Sequence, residues 1–109
     1  MQRIPLDSIP NQAFSVRLEG AYYDITIRAL NDEVMTISIV RDGVPVVHNT
    51  RAVPLMTVIP YSYREAHYGN FVWHTADGDY PYYTRFGSTD ALFFATDAEL
   101  EEVRRGRGH

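Results

Sequence analysis

The feature that most constrains this chain is the alternation of apolar and polar side chains over its first half. Every second residue is apolar from Phe14 to Leu18, and the pattern returns from Tyr23 to Ala29. A period of two is typical of a β-strand with one buried face, because successive side chains point to opposite sides of a sheet. The pattern therefore predicts strands here rather than an amphipathic helix.

Short loops between these strands determine how the strands pair. A two-residue loop at Glu19-Gly20, a three-residue loop from Asn31 to Glu33 and a type I′ turn at Asp42-Gly43 would join four antiparallel strands. A slip of one residue would move an apolar face into solvent, so the register is well determined. The predicted pairs are Leu18–Ala21, Val16–Tyr23, Phe14–Ile25, Ala29–Met35, Ile27–Ile37, Ile25–Ile39, Ile39–Val46 and Ile37–His48.

The second half of the chain is less regular but still favours strands. Apolar or alternating runs predict short strands at 55–59, 71–75 and 91–95. Pro54 and Pro60 bound the first of these runs, which indicates a buried or edge strand with sharp ends.

The C-terminal end of the chain is predicted to be a helix. Thr96 and Glu99 match a capping box, and Asp97 to Arg105 place acids first and arginines last. The predicted fold is all-β, a small antiparallel barrel or sandwich that begins with a four-strand meander and carries a short C-terminal helix. We expect a single domain, with an extended N-terminal segment at 1–12, a β core at 13–95 and a C-terminal helix and basic tail at 96–109.

Composition argues against several classes of function. The 109 residues include no cysteine, which excludes disulfides and thiolate metal sites. A formal net charge of −4 argues against a general nucleic-acid binder. No apolar run approaches the roughly 20 residues of a membrane helix, which argues against a membrane partner.

Motifs for catalysis or cofactor binding are also missing from the sequence. It contains no nucleophile elbow, phosphate loop or dinucleotide fingerprint, so we predict no catalytic residue and no cofactor. His67 and His74 do not have a zinc-ligand spacing, and no metal site is predicted. His48 falls on the predicted apolar strand face and is expected to be a hydrogen-bonded core side chain.

Aromatic residues are concentrated in one part of the chain. Nine lie between Tyr61 and Phe86, more than one small core is expected to hold. All ten basic residues are arginine, a residue that, like tyrosine and tryptophan, is enriched at the centres of protein interfaces. An arginine-only composition is equally explained by a GC-rich genome. The aromatic segment favours a protein interface, and the alternative is a half-exposed sheet face with a closing loop.

Three segments, in this order and spacing, carry a resemblance to a known family. Ile4 to Val16 reads Ile-Pro-Leu-Asp-Ser-Ile-Pro-Asn-Gln-Ala-Phe-Ser-Val and leads through a strand into a glycine turn. The second segment is Arg-Asp-Gly-Val-Pro at 41–45, and the third is Tyr-Pro-Tyr-Tyr-Thr-Arg-Phe-Gly at 80–87. From Ile4 to about Phe94 the chain resembles the phage baseplate plug family first described in a cyanophage.

The resemblance implies a structural virion protein without enzymatic activity. Such a plug lies at the axis of a contractile-tail baseplate, associates with the hub and helps to close the tail channel before ejection. The implied partners are hub, tail tube or spike proteins and other copies of the plug itself. The protein would be made and assembled in the host cytoplasm.

The candidate interface residues come from the apolar, aromatic and arginine side chains described above. Pro5 and Pro10 hold the N-terminal segment extended, so that its apolar residues could dock on a partner or, as the equal alternative, pack on the protein's own core. The basic tail is expected to meet carboxylates on a partner. The candidates are Ile4, Leu6, Ile9, Tyr61, Tyr63, Trp73, Tyr82, Tyr83, Arg85 and Arg107.

A different class of function stays open at this point. Oligonucleotide-binding barrels stack bases on aromatic side chains and hold the backbone with cations, so this sequence could also encode a binder of single-stranded nucleic acid. The acidic net charge weakens this interpretation.

Overall fold

The computed structural model describes residues 1–59 and 68–107, with side chains as far as residue 102. Tyr61, Tyr63 and His67, and the glycine and histidine at 108–109, lie outside the described residues. The elements are β1 (Gln2–Ile4), β2 (Asn11–Leu18), β3 (Ala21–Ala29), β4 (Met35–Arg41), β5 (Val44–Arg51), β6 (Asn70–His74), a 3₁₀ turn (Tyr83–Arg85), β7 (Ala91–Ala95) and α1 (Asp97–Arg107).

These strands form two antiparallel sheets whose apolar faces meet. The larger sheet is the meander β2-β3-β4-β5, and the smaller has the order β1-β7-β6. Within the described residues the two sheets share one core but no ladder, so the fold is sandwich-like rather than a closed barrel. The all-β prediction, with its initial four-strand meander and short C-terminal helix, is confirmed.

The register of the first three strands is the predicted one. Phe14 lies opposite Ile25, and Ile25 lies opposite Ile39 on the next strand. The Glu19-Gly20 loop has φ of 49° and 80°, the two positive values of a type I′ turn, and Asp42-Gly43 has 49° and 82°. These turns twist in the same sense as the strands, which explains why short loops and matched apolar faces agree.

The predicted pairing of β4 with β5 is wrong beyond the turn. Ile39 lies opposite Val47 rather than Val46, and Ile37 lies opposite Thr50, two residues past its predicted partner. The register shifts twice, because β5 contains extra residues that β4 does not match. Val46 and Val47 are both buried, which a regularly alternating strand with one buried face does not allow.

The same irregularity corrects the prediction for His48. Its side chain is exposed instead of buried in the core. The next residue, Asn49, has a φ of 45° and donates its N–H to the Ser38 Oγ at 2.9 Å. This left-handed residue rotates the strand, so the faces of β5 cannot be read from alternation alone.

The smaller sheet contains two predicted strands and one that the sequence did not reveal. β6 and β7 match the predicted runs closely. β1 lies within the predicted extended segment and pairs with β7, with Ile4 opposite Leu92. Three residues are too few to show alternation, so β1 carried no pattern to detect.

The predicted strand at 55–59 is wrong. Only isolated bridges form there, from Pro54 to Trp73 and from Thr57 to Val72. Leu55 has a φ of 63°, which turns the chain and leaves this side chain 69% exposed. The apolar run is therefore an irregular loop along the edge of β6.

An aromatic cluster joins the two sheets. Tyr23 of β3 makes an edge contact with Phe71 of β6, with ring centroids 5.2 Å apart, and Phe71 lies 5.2 Å from Phe94 of β7. Gly69 allows this packing, because a Cβ there would lie 2.5 Å from the Ala95 carbonyl oxygen. All three rings are buried, so part of the aromatic excess is core.

The C-terminal helix has the predicted cap. The Thr96 N–H donates to Glu99 Oε1 at 3.0 Å, and the Glu99 N–H donates to Thr96 Oγ1 at 3.2 Å. The helix begins at Asp97 as predicted and ends at Arg107, two residues beyond the predicted end. Leu100 is buried, and the N-terminal ammonium pairs with the Glu99 carboxylate, so the helix is held beside β1.

Candidate protein-interaction surface

Three segments that are distant in sequence meet at one end of the molecule. The Ser8 hydroxyl donates to the Tyr83 carbonyl oxygen at 2.8 Å, which joins the N-terminal segment to the 3₁₀ turn. The Tyr82 hydroxyl donates to the Asn31 carbonyl oxygen at 3.0 Å, which joins that turn to the β3–β4 loop. We call the surface formed by Leu6, Ile9, Leu30, Tyr82 and Tyr83 the aromatic end.

The two tyrosines of the aromatic end are held in place by packing and hydrogen bonds. Their ring centroids lie 4.8 Å apart, and both rings pack against the core while staying partly exposed. Desolvation raises the pKa of the Tyr82 phenol above its ordinary value, and Tyr83 and Asp32 add to the shift. The phenol therefore remains a hydrogen-bond donor to Asn31 at physiological pH.

Two exposed aliphatic side chains belong to the segments that contact these tyrosines, since Ile9 follows Ser8 and Leu30 precedes Asn31. The Ala29 N–H donates to the Pro10 carbonyl oxygen at 2.8 Å, one step beyond the last paired residues of β2 and β3. Continuing that register by one residue brings Ile9 next to Leu30. Ile9 is 43% exposed and Leu30 is 70% exposed. Large apolar side chains grouped in this way are typical of a protein contact rather than of a surface built only for solvent.

A buried carboxylate holds the turn that carries the tyrosines. Asp90 accepts a hydrogen bond from the Tyr82 N–H at 3.0 Å and an ion-paired one from the Arg85 Nε at 3.0 Å. The Arg85 Nη2 also donates to the Tyr80 carbonyl oxygen at 2.7 Å. Arg85 is thus engaged within its own turn, although its side chain is still 41% exposed.

The structure separates the sequence-predicted interface residues into three groups. Leu6, Ile9, Tyr82 and Tyr83 belong to the aromatic end, and Arg85 pairs with Asp90, which holds the turn that carries the two tyrosines. Ile4 and Trp73 are buried in the protein's own core, so neither contributes to a surface. Tyr61 and Tyr63, and the side chain of Arg107, lie outside the described residues.

Sequence reasoning missed Leu30 and the linking roles of Ser8 and Asn31. Leu30 is an apolar residue that begins a polar loop, and that position in the sequence is the signal that could have identified it, although its exposure is seen only in the folded chain. The two linking contacts connect residues 75 and 51 positions apart, which no local pattern encodes.

Two arginines lie over aromatic rings of the same chain. The Arg41 guanidinium lies 3.8 Å from the ring centroid of Tyr68, and that of Arg51 lies 4.0 Å from the centroid of Tyr80. A binder of single-stranded nucleic acid needs cations along a groove that follows the phosphate backbone. These two guanidinium groups instead lie against tyrosine rings of their own chain.

The described residues contain no group of three or more histidine or acidic side chains arranged to hold a metal ion. No helix of the described part of the chain is long and apolar enough to cross a membrane. His74, the histidine of β6, is exposed and contacts Phe93 with its ring.

The fold and this surface define the class: a small antiparallel β-sandwich with a preorganised aromatic surface at one end. The chain matches the family described as cyanophage baseplate Pam3 plug gp18 over residues 1–98. It belongs to this family of phage baseplate plugs, which are structural proteins of the virion tail, and the resemblance noted in the sequence is confirmed. No curated protein matches the chain.

Proposed function

We propose that this protein docks on the baseplate hub through its aromatic end and helps to close the channel of a contractile tail until ejection. Family membership supports the structural role in the baseplate. The observation that carries the finer assignment is the pair of hydrogen bonds, Ser8 to Tyr83 and Tyr82 to Asn31, which brings the segments with the exposed Ile9 and Leu30 to the turn that carries the two tyrosines. The protein is made and assembled in the host cytoplasm and acts without catalysis.

Preorganisation is what suits the aromatic end to this role. A partner that binds it does not have to order the tyrosines, because the Ser8 and Asn31 contacts already hold their turn. The apolar centre is bordered by polar groups such as Asp7 and Asp32, both of which are exposed. Such a surface binds stably without covalent links and can still release when the tail fires.

The test is a binding titration of the plug against the hub protein of the same phage. Tyr83→Ala removes an aromatic ring from the aromatic end but leaves the carbonyl that Ser8 contacts. We expect it to weaken hub binding by more than about 1 kcal/mol, roughly fivefold or more, without unfolding the protein.

The matched control is Tyr22→Ala, which removes an exposed tyrosine from the outer face of β3. We expect this variant to bind the hub like the parent protein. Equal affinities for the parent, Tyr83→Ala and Tyr22→Ala would contradict docking through the aromatic end. Arg107 stays a predicted contact, to be tested in the same titration with Arg107→Ala.

A further inference from the structure

The outer edge of β2 is a regular, unpaired strand edge. Within residues 1–59 and 68–107, β2 pairs only with β3, and its ladder runs from Asn11 to Leu18 without a register shift. The Pro10 carbonyl and the residues that flank the two-residue turn bond to β3, so even-numbered residues of β2 direct their backbone groups inward. Ala13, Ser15 and Arg17 therefore present their N–H and C=O groups outward.

The core beneath this edge is incompletely covered. Phe14 and Val16, which face the core from β2, are only partly buried, whereas Ile25 and Ile27 on the adjacent strand are fully buried. The strand therefore combines free hydrogen-bonding groups with apolar side chains that would gain burial from a neighbour. Natural proteins usually protect such an edge with bulges, prolines or charges, and of these β2 has only the charge of Arg17.

We propose that β2 pairs with β2 of a second copy of this chain, antiparallel, with Ser15 on the two-fold axis. In this register Ser15 faces Ser15 of the second copy and Ala13 faces Arg17, so every outward backbone group in this span finds a partner. Phe14 of each copy lies opposite Val16 of the other, which joins the two half-covered apolar faces. The two four-strand sheets become one eight-strand sheet, and the contact is isologous.

Charge complementarity supports a second copy as the occupant. Arg17 faces the neutral Ala13, and Glu19 of the turn faces Asn11, so the pairing opposes no like charges. Asn11 pairs with Arg28 on β3, so Glu19 of one copy lies in the same row as the exposed Arg28 of the other. The pairing thus places one acid and one base of different copies in the same row on each side of the axis, and the Asp24 carboxylates that flank the axis each accept a hydrogen bond from Ser15 of their own copy.

The first test uses the absence of cysteine from the chain. Directly opposed, hydrogen-bonded residues of an antiparallel pair have Cα atoms about 5.5 Å apart, a separation that a disulfide spans. Ser15→Cys is therefore expected to cross-link into a covalent dimer under mild oxidation, because the residue meets its own copy at the axis. Ala13→Cys and Arg17→Cys are expected to cross-link efficiently only when the two variants are mixed.

The control variant places the cysteine on β5, at Thr50→Cys, which is exposed on the opposite edge of the same sheet. We expect it to stay monomeric on the gel. Cross-linking of Thr50→Cys at the rate of Ser15→Cys, or self-cross-linking of Ala13→Cys, would overturn the proposed pairing.

The second test measures mass in solution by size-exclusion chromatography with light scattering. Ala13→Pro removes an outward N–H without touching the β3 ladder, and is expected to raise the dimer dissociation constant at least about tenfold. Ala13→Val keeps the N–H and is expected to dimerise like the parent. A parent protein that is monomeric at its highest soluble concentration would overturn the proposal. Tyr83→Ala should dimerise normally, which separates this contact from hub binding.

Discussion

The two edge strands of the larger sheet, β2 and β5, differ in how regular their outer edges are. Both adjoin a type I′ turn, since β2 leads into one and β5 follows the other. β5 has Pro45 near its start, two register shifts and a left-handed Asn49. These features disrupt the regular row of outward N–H and C=O groups that a further strand would need for pairing. β2 has an uninterrupted register and no such device along its length. Among residues 1–59 and 68–107 no strand pairs with the outer edge of β2, and this is why the proposed pairing uses β2 rather than β5.

The largest expected effect is a loss of stability from a substitution on β3, the strand that pairs with β2 on one side and β4 on the other. Ile25 lies between Phe14 of β2 and Ile39 of β4 and is fully buried. Ile25→Ala is expected to lower the free energy of unfolding by about 2–5 kcal/mol, because it leaves a cavity in packed core. Chemical denaturation measures the loss.

The comparison variant for that measurement is Val16→Ala on β2, whose side chain is only partly buried. It is expected to cost clearly less than Ile25→Ala in the monomer. Equal losses in the free energy of unfolding for the two variants would mean that Val16 is as well buried as Ile25. That result would contradict the claim that the core beneath β2 is incompletely covered.

A smaller effect is expected from substituting Asn49, the left-handed residue in the irregular part of β5. Asn49 has a φ of 45°, a conformation that a β-branched residue adopts only with strain. Asn49→Val is expected to destabilise the protein by about 1–3 kcal/mol or to straighten the edge. Asn49→Gly, which tolerates this φ, should cost less. An unchanged free energy of unfolding for Asn49→Val would mean that the left-handed conformation of residue 49 is not what makes β5 irregular.

The difference between the two edges also explains how far the sequence could be interpreted. Alternation and two-residue turns predicted the register of β2, β3 and β4, because a slip there would expose a complete apolar face. On β5 the same reasoning continued the alternation through Val46 and His48, where extra residues are accommodated instead. Nothing local distinguishes a bulged strand from a regular one until Asn49 and Ser38 are seen together.

The candidate surface was predictable in composition but not in geometry. Tyrosine and arginine enrichment indicated the segment from Tyr61 to Phe86, and Tyr82 and Tyr83 of that segment do lie on the aromatic end. The same reasoning also chose Trp73, which stacks on Phe86 in the core with ring centroids 5.7 Å apart. Which aromatic residues stay outside depends on contacts between distant segments, and these exist only in the folded chain.

β1 is an edge strand of the smaller sheet. The smallest predicted effect is the change in melting temperature when the ion pair beside β1 is removed. β1 has only three residues, and the N-terminal ammonium before it pairs with Glu99 of α1. This pairing and the Thr96 N–H hold the pKa of the Glu99 carboxyl below its ordinary value. Because the folded pKa is lowered, the stabilisation is fully present above the ordinary pKa of a glutamate, which is about 4.3. It is lost as the pH falls through the folded value.

Glu99→Gln removes the charge but keeps an acceptor for the Thr96 N–H, since glutamine also completes a capping box. We expect this variant to melt at a slightly lower temperature than the parent near pH 7. The difference should shrink as the pH falls below about 4, because the parent carboxylate is then protonated as well. The control is Glu102→Gln, which neutralises an exposed carboxylate on the same helix and should melt like the parent near pH 7. A melting difference for Glu99→Gln that stays constant from neutral to acidic pH would mean that the ion pair does not hold β1 to the helix, and that the edge of the smaller sheet is protected by its short length alone.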